Sequence, residues 1–173
     1  YVASNVFCED SIGTRKDVTR STAIGWLKRE QEVLELIREQ VKQGRCVCWI
    51  RNTVGDARAA FNALERCDRM KTGRLSLFHS RFAMIDRQRI ENETLAYFGE
   101  NSDAETRCGR VLVATQVVEQ SLDLDFDVLI SDLAPIDLLI QRAGREHRHI
   151  RDEFGNRVRE RGAVDRREPP VFY

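Results

Sequence analysis

Short apolar runs that alternate with helical segments constrain the fold of this chain more than any other feature. Residues 46–50 are apolar at every position, which is typical of a strand covered on both faces of a parallel sheet. Before this run, residues 22–43 carry apolar side chains at helical spacing, and Gly44 supplies a helix stop. The pattern predicts an α/β fold in which a mainly parallel sheet has helices on both faces.

Further segments continue the same alternation. Helices are predicted at residues 54–70 and 84–98, and a third begins at Pro135, whose fixed φ and missing donor suit a first helical turn. Strands are predicted at residues 6–7, 75–78, 110–114 and 127–131, and the start of another at 168–173. The polar run at residues 100–107 predicts a loop, and we expect residues 1–21 to form a mobile entry segment.

Composition limits the possible classes of protein. With 173 residues, 42% of them hydrophobic, the chain can bury one sizeable core. Its 28 basic and 28 acidic residues cancel, so any site for a polyanion must be local. No apolar run approaches the roughly 20 residues of a membrane helix, which predicts no membrane partner. The five cysteines form no CxxC pair, which argues against a disulfide framework and a zinc site and predicts a reducing, cytoplasmic location.

A group of cationic residues follows the last predicted buried strand. Gln141, Arg142, Arg145 and Arg148 fall on the helix predicted from Pro135, and on a continuous helix Gln141, Arg145 and Arg148 share one face. Guanidinium groups stay charged and offer a planar fork of donors that fits phosphate oxygens. The alternative is a solvated, arginine-rich helix end, since basic residues favour helix C-termini.

The loop before that helix carries polar groups at the edge of the predicted sheet where the strands have their carboxyl ends. The hydroxyl of Thr115 is suited to bind a nucleic-acid phosphate, and the carboxylate of Asp123 to accept hydrogen bonds from a ribose. Each residue also has an ordinary structural alternative, namely a strand-end cap for Thr115 and a turn residue for Asp123.

Two more loops leave the carboxyl ends of predicted strands, where parallel sheets bind their ligands. Their side chains are of types that contact phosphates. They are Arg51, Asn52 and Thr53 after residues 46–50, and His79, Ser80 and Arg81 after residues 75–78. The alternative is that these residues serve as helix caps and surface loops.

Four motifs in this chain resemble those of a known helicase family. ATQVVEQSLDLDFD at residues 114–127, followed by QRAGREHRH at 141–149, resembles motifs V and VI of superfamily 2 helicases. CWIRNTVGDA at 48–57 and LFHSRFAMIDR at 77–87 are similar to the second RecA-like domain of the CRISPR-associated helicase–nuclease of type I systems. The resemblance covers most of residues 33–149. It implies a RecA-like domain at 1–149. Residues 150–167 contain six arginines and little apolar content, so composition predicts that 150–173 is a solvated, arginine-rich loop or linker that leads toward a following strand.

The resemblance also implies roles for individual residues. Arg145 and Arg148 match arginine fingers, Gln141 matches the glutamine that senses the γ-phosphate, and Arg142 and Asp123 complete the implied nucleotide-binding set. The implied single-stranded-DNA contacts are Arg51, Asn52, Thr53, His79, Ser80, Arg81, Thr115 and Gln116.

Several motifs of a complete helicase are missing from the sequence. No glycine is followed by lysine, so there is no GxxxxGK[ST] loop, and no histidine–aspartate pair suits a two-metal nuclease. Residues 152–155 have only a superficial likeness to a DExH box, because no apolar strand precedes them. The chain is thus expected to be inactive alone, and no metal site is predicted within it.

The resemblance implies a function in partnership with other domains. This domain would be the second motor domain of an ATP-dependent single-stranded-DNA translocase in type I CRISPR interference. A first RecA-like domain would hold most of the ATP and its Mg²⁺. The other implied partners are single-stranded DNA, an HD nuclease domain and the CRISPR surveillance complex.

One residue departs from the family pattern. Glu146 lies in motif VI where the family usually has an apolar or small residue. Its carboxylate could pair with Arg142, Arg145 or Arg148 and weaken their hold on phosphate, or it could face solvent. Glu146 thus favours an alternative function, a non-catalytic RecA-like module that docks a nucleic acid or a protein. Within the enzyme class, another superfamily 2 helicase that acts on DNA or RNA is a second alternative.

Overall fold

The computed structural model describes residues 21–66, 73–119 and 122–173. The strands are β1 (Ala23–Ile24), β2 (Val47–Ile50), β3 (Leu75–Phe78), β4 (Val111–Ala114), β5 (Val128–Ser131) and β6 (Val171–Phe172). The helices are α1 (Glu30–Lys42), α2 (Val54–Glu65), α3 (Met84–Phe98), α4 (Ala104–Arg107) and α5 (Ile136–Ala143), with a 3₁₀ turn at Gln116–Val118.

The strands form one six-stranded sheet in the order β1-β6-β5-β2-β4-β3, and all described pairings are parallel. β2 lies at the centre, with Val47 opposite Val111 of β4 and Val128 of β5. The loops after β2, β3 and β4 therefore meet at one edge of the sheet, because the carboxyl ends of parallel strands point the same way. The predicted DNA-contacting loops lie at this carboxyl edge.

Apolar cores on both faces of the sheet explain the continuous apolar strands. On one face, Trp49 and Val113 pack with Ile37 of α1 and Leu64 of α2. On the opposite face, residues such as Cys48 and Leu112 pack with Ile90 and Phe98 of α3 and with Leu139 of α5. The predicted fold class, a mainly parallel sheet covered by helices on both faces, is confirmed.

An ionic cluster is buried at the amino edge of the sheet. Asp125, fully buried, pairs with Arg151 (Nε to Oδ2, 2.5 Å) and with Arg167 (Nη1 to Oδ2, 3.2 Å). Arg107, also buried, donates from Nη2 to Oδ1 of Asp127 at 2.9 Å. Burial alone would raise the pKa of Asp127, but Arg107 and Arg167 outweigh it and hold that pKa below its ordinary value.

This cluster changes the interpretation of the arginine-rich segment 150–173. The prediction that the whole segment is solvated is wrong, because Arg151 and Arg167 are buried against Asp125. The segment ends in β6, which joins the same sheet. The boundary predicted at residue 149 stays a prediction, although the sheet itself extends to Phe172.

Some predicted elements differ in detail from the structure. The helix predicted at 54–70 is α2, which ends at Glu65. The strand predicted at residues 6–7 lies outside the described residues, and so does most of the predicted entry segment. Within the loop predicted at 100–107, Ala104–Arg107 forms a short helix that Asp103 caps by accepting the N–H of Thr106. Within the described ranges, no helix is long and apolar enough to cross a bilayer.

Candidate nucleotide and nucleic-acid site

The predicted arginine fingers lie beyond the end of α5. The helix stops at Ala143, and Gly144 is its C-cap, so the expectation that Gln141, Arg145 and Arg148 share one continuous helical face is wrong. Glycine lowers helix stability, and the chain then pairs with residue Phe126 just before β5: the carbonyl of Arg145 accepts the N–H of Phe126 at 3.0 Å.

His147 reverses the chain at this point. Its φ is +47°, in the left-handed region, and its N–H donates to the carbonyl of Phe126 at 3.0 Å. Burial, followed by the charge of Arg167, lowers the pKa of the His147 ring. The reversal directs Arg148 back toward Asp123.

Arg145 lies against the loop between the 3₁₀ turn and β5. It donates from Nη1 to the carbonyl of Leu122 at 2.5 Å and from Nη2 to the carbonyl of Glu119 at 2.8 Å. Burial, followed by the charge of Arg148, lowers the pKa of the Arg145 guanidinium. Two cations thus repel each other here, which is an environment suited to an anion.

Arg148 and Asp123 form an ion pair beside Arg145. Arg148 Nε lies 2.5 Å from Asp123 Oδ1, and the two side chains are 41% and 49% exposed. Such a pair exchanges readily with solvent and ligands, because exposed ion pairs are weak. Gln141 is exposed as well. The structure thus brings Asp123, Arg145 and Arg148 together.

Arg142 does not join that group. Only 2% of it is exposed, and its Nε donates to Glu119 Oε1 at 2.7 Å. Its Nη1 donates to Ser131 Oγ at 2.8 Å and to the carbonyl of Asp132 at 3.2 Å, and both Nη atoms lie 3.4 Å from Asn52 Oδ1. These contacts occupy the guanidinium inside the protein, so the structure gives no support to the predicted direct contact with nucleotide.

Glu146 takes neither of the positions considered from the sequence. It is 3% exposed, and its Oε1 accepts the N–H of Leu129 at 3.3 Å. Its Oε2 is buried and has no hydrogen-bond partner among the described residues. Burial raises the pKa of the Glu146 carboxyl to about 8. The carboxylate therefore pairs with none of the motif VI arginines and does not face solvent.

The loop after β2 is held mainly by internal contacts. Arg51 stacks over Trp49 at 4.8 Å and donates to Asp132 Oδ2 at 3.0 Å. Asn52 donates from Nδ2 to the carbonyl of Leu133 at 2.7 Å. Thr53 caps α2 by accepting the N–H of Asp56 at 3.1 Å, so the helix-cap alternative holds for this residue. Asn52 and Thr53 are nevertheless exposed at the carboxyl edge.

The loops after β3 and β4 differ in accessibility. Ser80 and Arg81 are exposed, whereas His79 is buried, stacks on Phe82 at 4.1 Å and accepts the N–H of Arg81 at Nδ1. Burial, with a smaller contribution from Arg58 and Arg81, lowers the pKa of the His79 ring.

Thr115 is buried too. It is 1% exposed, and its Oγ1 has no hydrogen-bond partner among the described residues. Gln116, the next residue, is exposed at the start of the 3₁₀ turn. In this state Gln116 is accessible to a ligand at the edge and the Thr115 hydroxyl is not.

Comparison with known proteins decides the family. The profile described as "CRISPR-associated nuclease/helicase Cas3, C-terminal" matches residues 43–151. The CRISPR-associated endonuclease/helicase Cas3 of Escherichia coli K12 is 44% identical over 119 residues, which are 69% of this chain and 13% of that protein. The chain belongs to the Cas3 family.

Solved Cas3 structures agree with this assignment. T. fusca Cas3 with ATP superposes with a TM-score of 0.70 at 36% identity, covering 95% of this chain and 19% of that one. A chain of a pre-nicking CRISPR RNA-guided surveillance complex gives a TM-score of 0.67 at 33% identity, covering 94% of this chain and 20% of that one. The predicted family, the second RecA-like domain of a Cas3 helicase, is confirmed. The chain spans less than a quarter of each of these relatives.

Two residues of the candidate site, Glu119 and Asp132, make contacts that the sequence did not predict. Glu119 contacts both Arg142, through its carboxylate, and Arg145, through its carbonyl. Asp132 holds the loop after β2 by accepting from Arg51 and from the backbone N–H of Asn52. Both are carboxylates next to strand or turn ends, but their partners are distant along the chain.

The side chains at the candidate site suit a nucleotide better than a metal ion. Arg145 and Arg148 offer donors to phosphate oxygens, and Asp123 offers acceptors to ribose hydroxyls. The described parts of the chain contain no group of histidine, cysteine and carboxylate side chains that could hold a metal ion. A separate apolar groove of about 730 Å³ at the ends of β1, β5 and β6 contains none of these three residues.

Proposed function

We propose that this domain is the second motor domain of an ATP-driven, single-stranded-DNA translocase of type I CRISPR interference. The observation that carries the proposal is the surface group of Asp123, Arg145 and Arg148, within the region that matches Cas3. Because no glycine in the sequence is followed by lysine, ATP would bind between this domain and a first RecA-like domain that carries the P-loop and most of the Mg²⁺ contacts.

The arginines of this chain would stabilise the negative charge of the transferring phosphoryl group. Hydrolysis of ATP supplies the free energy for movement. Arg148 would give up its ion pair with Asp123 and donate to a phosphate oxygen instead. Arg145 would likewise give up its hydrogen bonds to the carbonyls of Leu122 and Glu119 and donate to phosphate. Asp123 then becomes available to ribose hydroxyls, while Gln141 approaches from the end of α5. An arginine finger placed like this changes the rate by about 10³ to 10⁵.

The loops at the carboxyl edge would carry the DNA. Asn52, Thr53, Ser80, Arg81 and Gln116 are accessible there. The side chains of Arg51, His79 and Thr115 support these loops and would need to move to touch DNA directly. Contacts to phosphates and stacked bases make binding tolerant of sequence and sensitive to salt.

The proposed partners follow from the family. The similarity to a chain of a CRISPR RNA-guided surveillance complex supports that complex as the partner, with an HD nuclease domain and a cytoplasmic location as further parts of the proposal. The non-catalytic alternative depends on Glu146 pairing with the fingers. It loses that support, since Glu146 bonds to the backbone of Leu129 instead.

Alanine replacement of each finger tests the proposal. In the complete helicase, meaning this domain assembled with the first motor domain, Arg145→Ala and Arg148→Ala should each lower kcat for ATP by at least about 10³-fold. The matched control is Arg89→Ala, which removes an arginine that pairs with Glu93 on the surface of α3. Turnover that is unchanged in both finger variants would refute the proposal.

A further inference from the structure

A buried arginine connects the two halves of the candidate site. Arg142 follows Gln141 on α5, yet its guanidinium lies inside the protein, between the loop after β2 and the end of the 3₁₀ turn. On one side it reaches Glu119 Oε1, and on the other side it reaches Asn52 Oδ1. Neither the family match nor the predicted role in nucleotide binding explains this bridge.

The 3₁₀ turn brings the two ligand sites within one short element. Thr115 is the N-cap of this turn and Glu119 is its C-cap. Gln116, at its start, faces the carboxyl edge, while the carbonyl of Glu119, at its end, accepts from the finger Arg145 at 2.8 Å. The hydrogen bonds of a 3₁₀ turn have poorer geometry than those of an α-helix, so this element resists displacement less than a helical turn would.

A continuous path therefore runs from the finger to the DNA loop. It passes from Arg145 to the backbone of Glu119, from the carboxylate of Glu119 to Arg142, and from Arg142 to Asn52. The far end is fixed by Asp132, which accepts the N–H of Asn52 at 3.0 Å and offers its own carbonyl to Arg142 at 3.2 Å. Each step is a hydrogen bond between described residues.

From this geometry we infer that Arg142 is a positioning residue that couples nucleotide binding to single-stranded-DNA binding. When Arg145 leaves the carbonyl of Glu119 for a phosphate, the end of the 3₁₀ turn is released. Arg142 transmits that shift to the loop carrying Asn52. The inference rests on the proposed function and adds the route by which its two sites communicate.

The chemistry of arginine suits this role. Its planar fork carries donors in several directions, so one guanidinium can bond Glu119, the β5 end and Asn52 at once. A lysine ammonium at the same position keeps the charge opposite Glu119. It is a compact point charge, however, and cannot span the distance to Asn52 at the same time. The Arg142→Lys variant therefore keeps one contact and loses the bridge.

The coupling is measured as a ratio of affinities in the complete helicase. The Kd for a single-stranded oligonucleotide is determined with and without a non-hydrolysable ATP analogue. Couplings between two sites typically change an affinity about 5- to 150-fold, and the effect is reciprocal. We expect a ratio in that range for the unmodified protein and a ratio within about twofold of one for Arg142→Lys.

A matched control separates coupling from stability. Arg107 is as buried as Arg142, at 2% exposure, but it belongs to the amino-edge cluster and contacts neither ligand loop. Arg107→Lys should lower the melting temperature and leave the affinity ratio unchanged. If Arg142→Lys does not fold, Asn52→Ala removes the other end of the bridge from an exposed position and should also bring the ratio close to one.

Three results would contradict the role of Arg142 in coupling. An Arg142→Lys protein that folds and keeps the full ratio overturns the inference alone. So does a loss of more than about tenfold in analogue affinity without DNA, because that result makes Arg142 a direct nucleotide contact. An unmodified helicase in which the analogue leaves DNA affinity unchanged overturns the proposed function, and the inference with it.

Discussion

Replacing Glu146 by glutamine is expected to remove a large pH dependence from the stability of this domain. The Glu146 carboxyl is 3% exposed, with one oxygen bonded to the N–H of Leu129 and the other without a partner among the described residues. Burial favours the protonated form and raises its pKa from 4.5 to about 8. In the unfolded chain the same group ionises near its ordinary value.

The sign of the pH dependence follows from the number of protons bound to Glu146 in the folded and unfolded states. Between pH 4.5 and about 8 the folded state retains a proton that the unfolded state has lost, so the free energy of unfolding falls as pH rises. The loss amounts to about 1.4 kcal/mol per pH unit inside that window and levels off above it. From pH 5 to pH 8 Glu146 therefore removes about 3.5 kcal/mol, because the slope is already halved at the folded pKa; this is about 7–14 °C in Tm for a domain of this size.

Urea unfolding followed by circular dichroism measures the effect. The free energy of unfolding is determined at pH 5, 6.5 and 8 for the unmodified chain and for Glu146→Gln. Other titrating groups contribute equally to both proteins, so the difference between them isolates Glu146. That difference should grow by about 3.5 kcal/mol across the range in favour of the variant. Glu93→Gln, at a side chain 46% exposed on α3, should show no such growth.

A difference that stays constant within about 0.5 kcal/mol from pH 5 to pH 8 would refute the reasoning, because it would mean that Glu146 titrates alike in both states. The absolute stability of the variant is a poorer guide, since a buried glutamine amide introduces donors of its own.

Three further predictions concern the cap, the ionic cluster and the DNA surface. Thr53→Ala should lower the free energy of unfolding by about 0.5–2 kcal/mol, because the N–H of Asp56 loses its cap; a change below about 0.2 kcal/mol in urea unfolding would contradict this. Asp125→Asn should cost about 3–5 kcal/mol, since it leaves buried Arg151 without its counter-charge, and a Tm within about 2 °C of the unmodified chain would argue against it. Single-stranded-DNA affinity of the complete helicase should fall with rising salt, and an affinity equal at about 50 and 200 mM NaCl would exclude phosphate contacts.

The fold was accessible from sequence because its signals are local. The continuous apolar run in β2 and the helical spacing in α1 each report on a neighbourhood of a few residues, and the burial they predict is what the sheet and its two cores display. The start of that helix was predicted wrongly, because the helical spacing begins at residue 22 whereas α1 begins at Glu30 and Ala23–Ile24 is a strand. The end of α5 was less accessible. Periodicity continues past Gly144, while the actual termination depends on the pairing of Arg145 and His147 with Phe126, about twenty positions earlier in the chain.

Side-chain roles within motif VI depend on contacts that spacing does not reveal. Arg142 and Arg145 are equivalent by residue type, yet one is enclosed by Glu119 and Asn52 and the other lies at the loop surface. Likewise, nothing local marks Arg151 as buried, because its partner Asp125 is 26 residues away. The sequence pattern predicts the group of residues, but which of them are buried depends on contacts between distant parts of the chain.

The order of strands in the sheet has a consequence for assembly during synthesis. β1, at residues 23–24, pairs only with β6, at residues 171–172, among the described strands. The chain through residue 172 must therefore leave the ribosome before β1 can pair with β6, and this contact of very long sequence separation forms late. The edge of β5 that β6 covers stays open until the same moment. Removing β6 would thus leave β1 without its partner in the sheet and expose the edge of β5 to other chains.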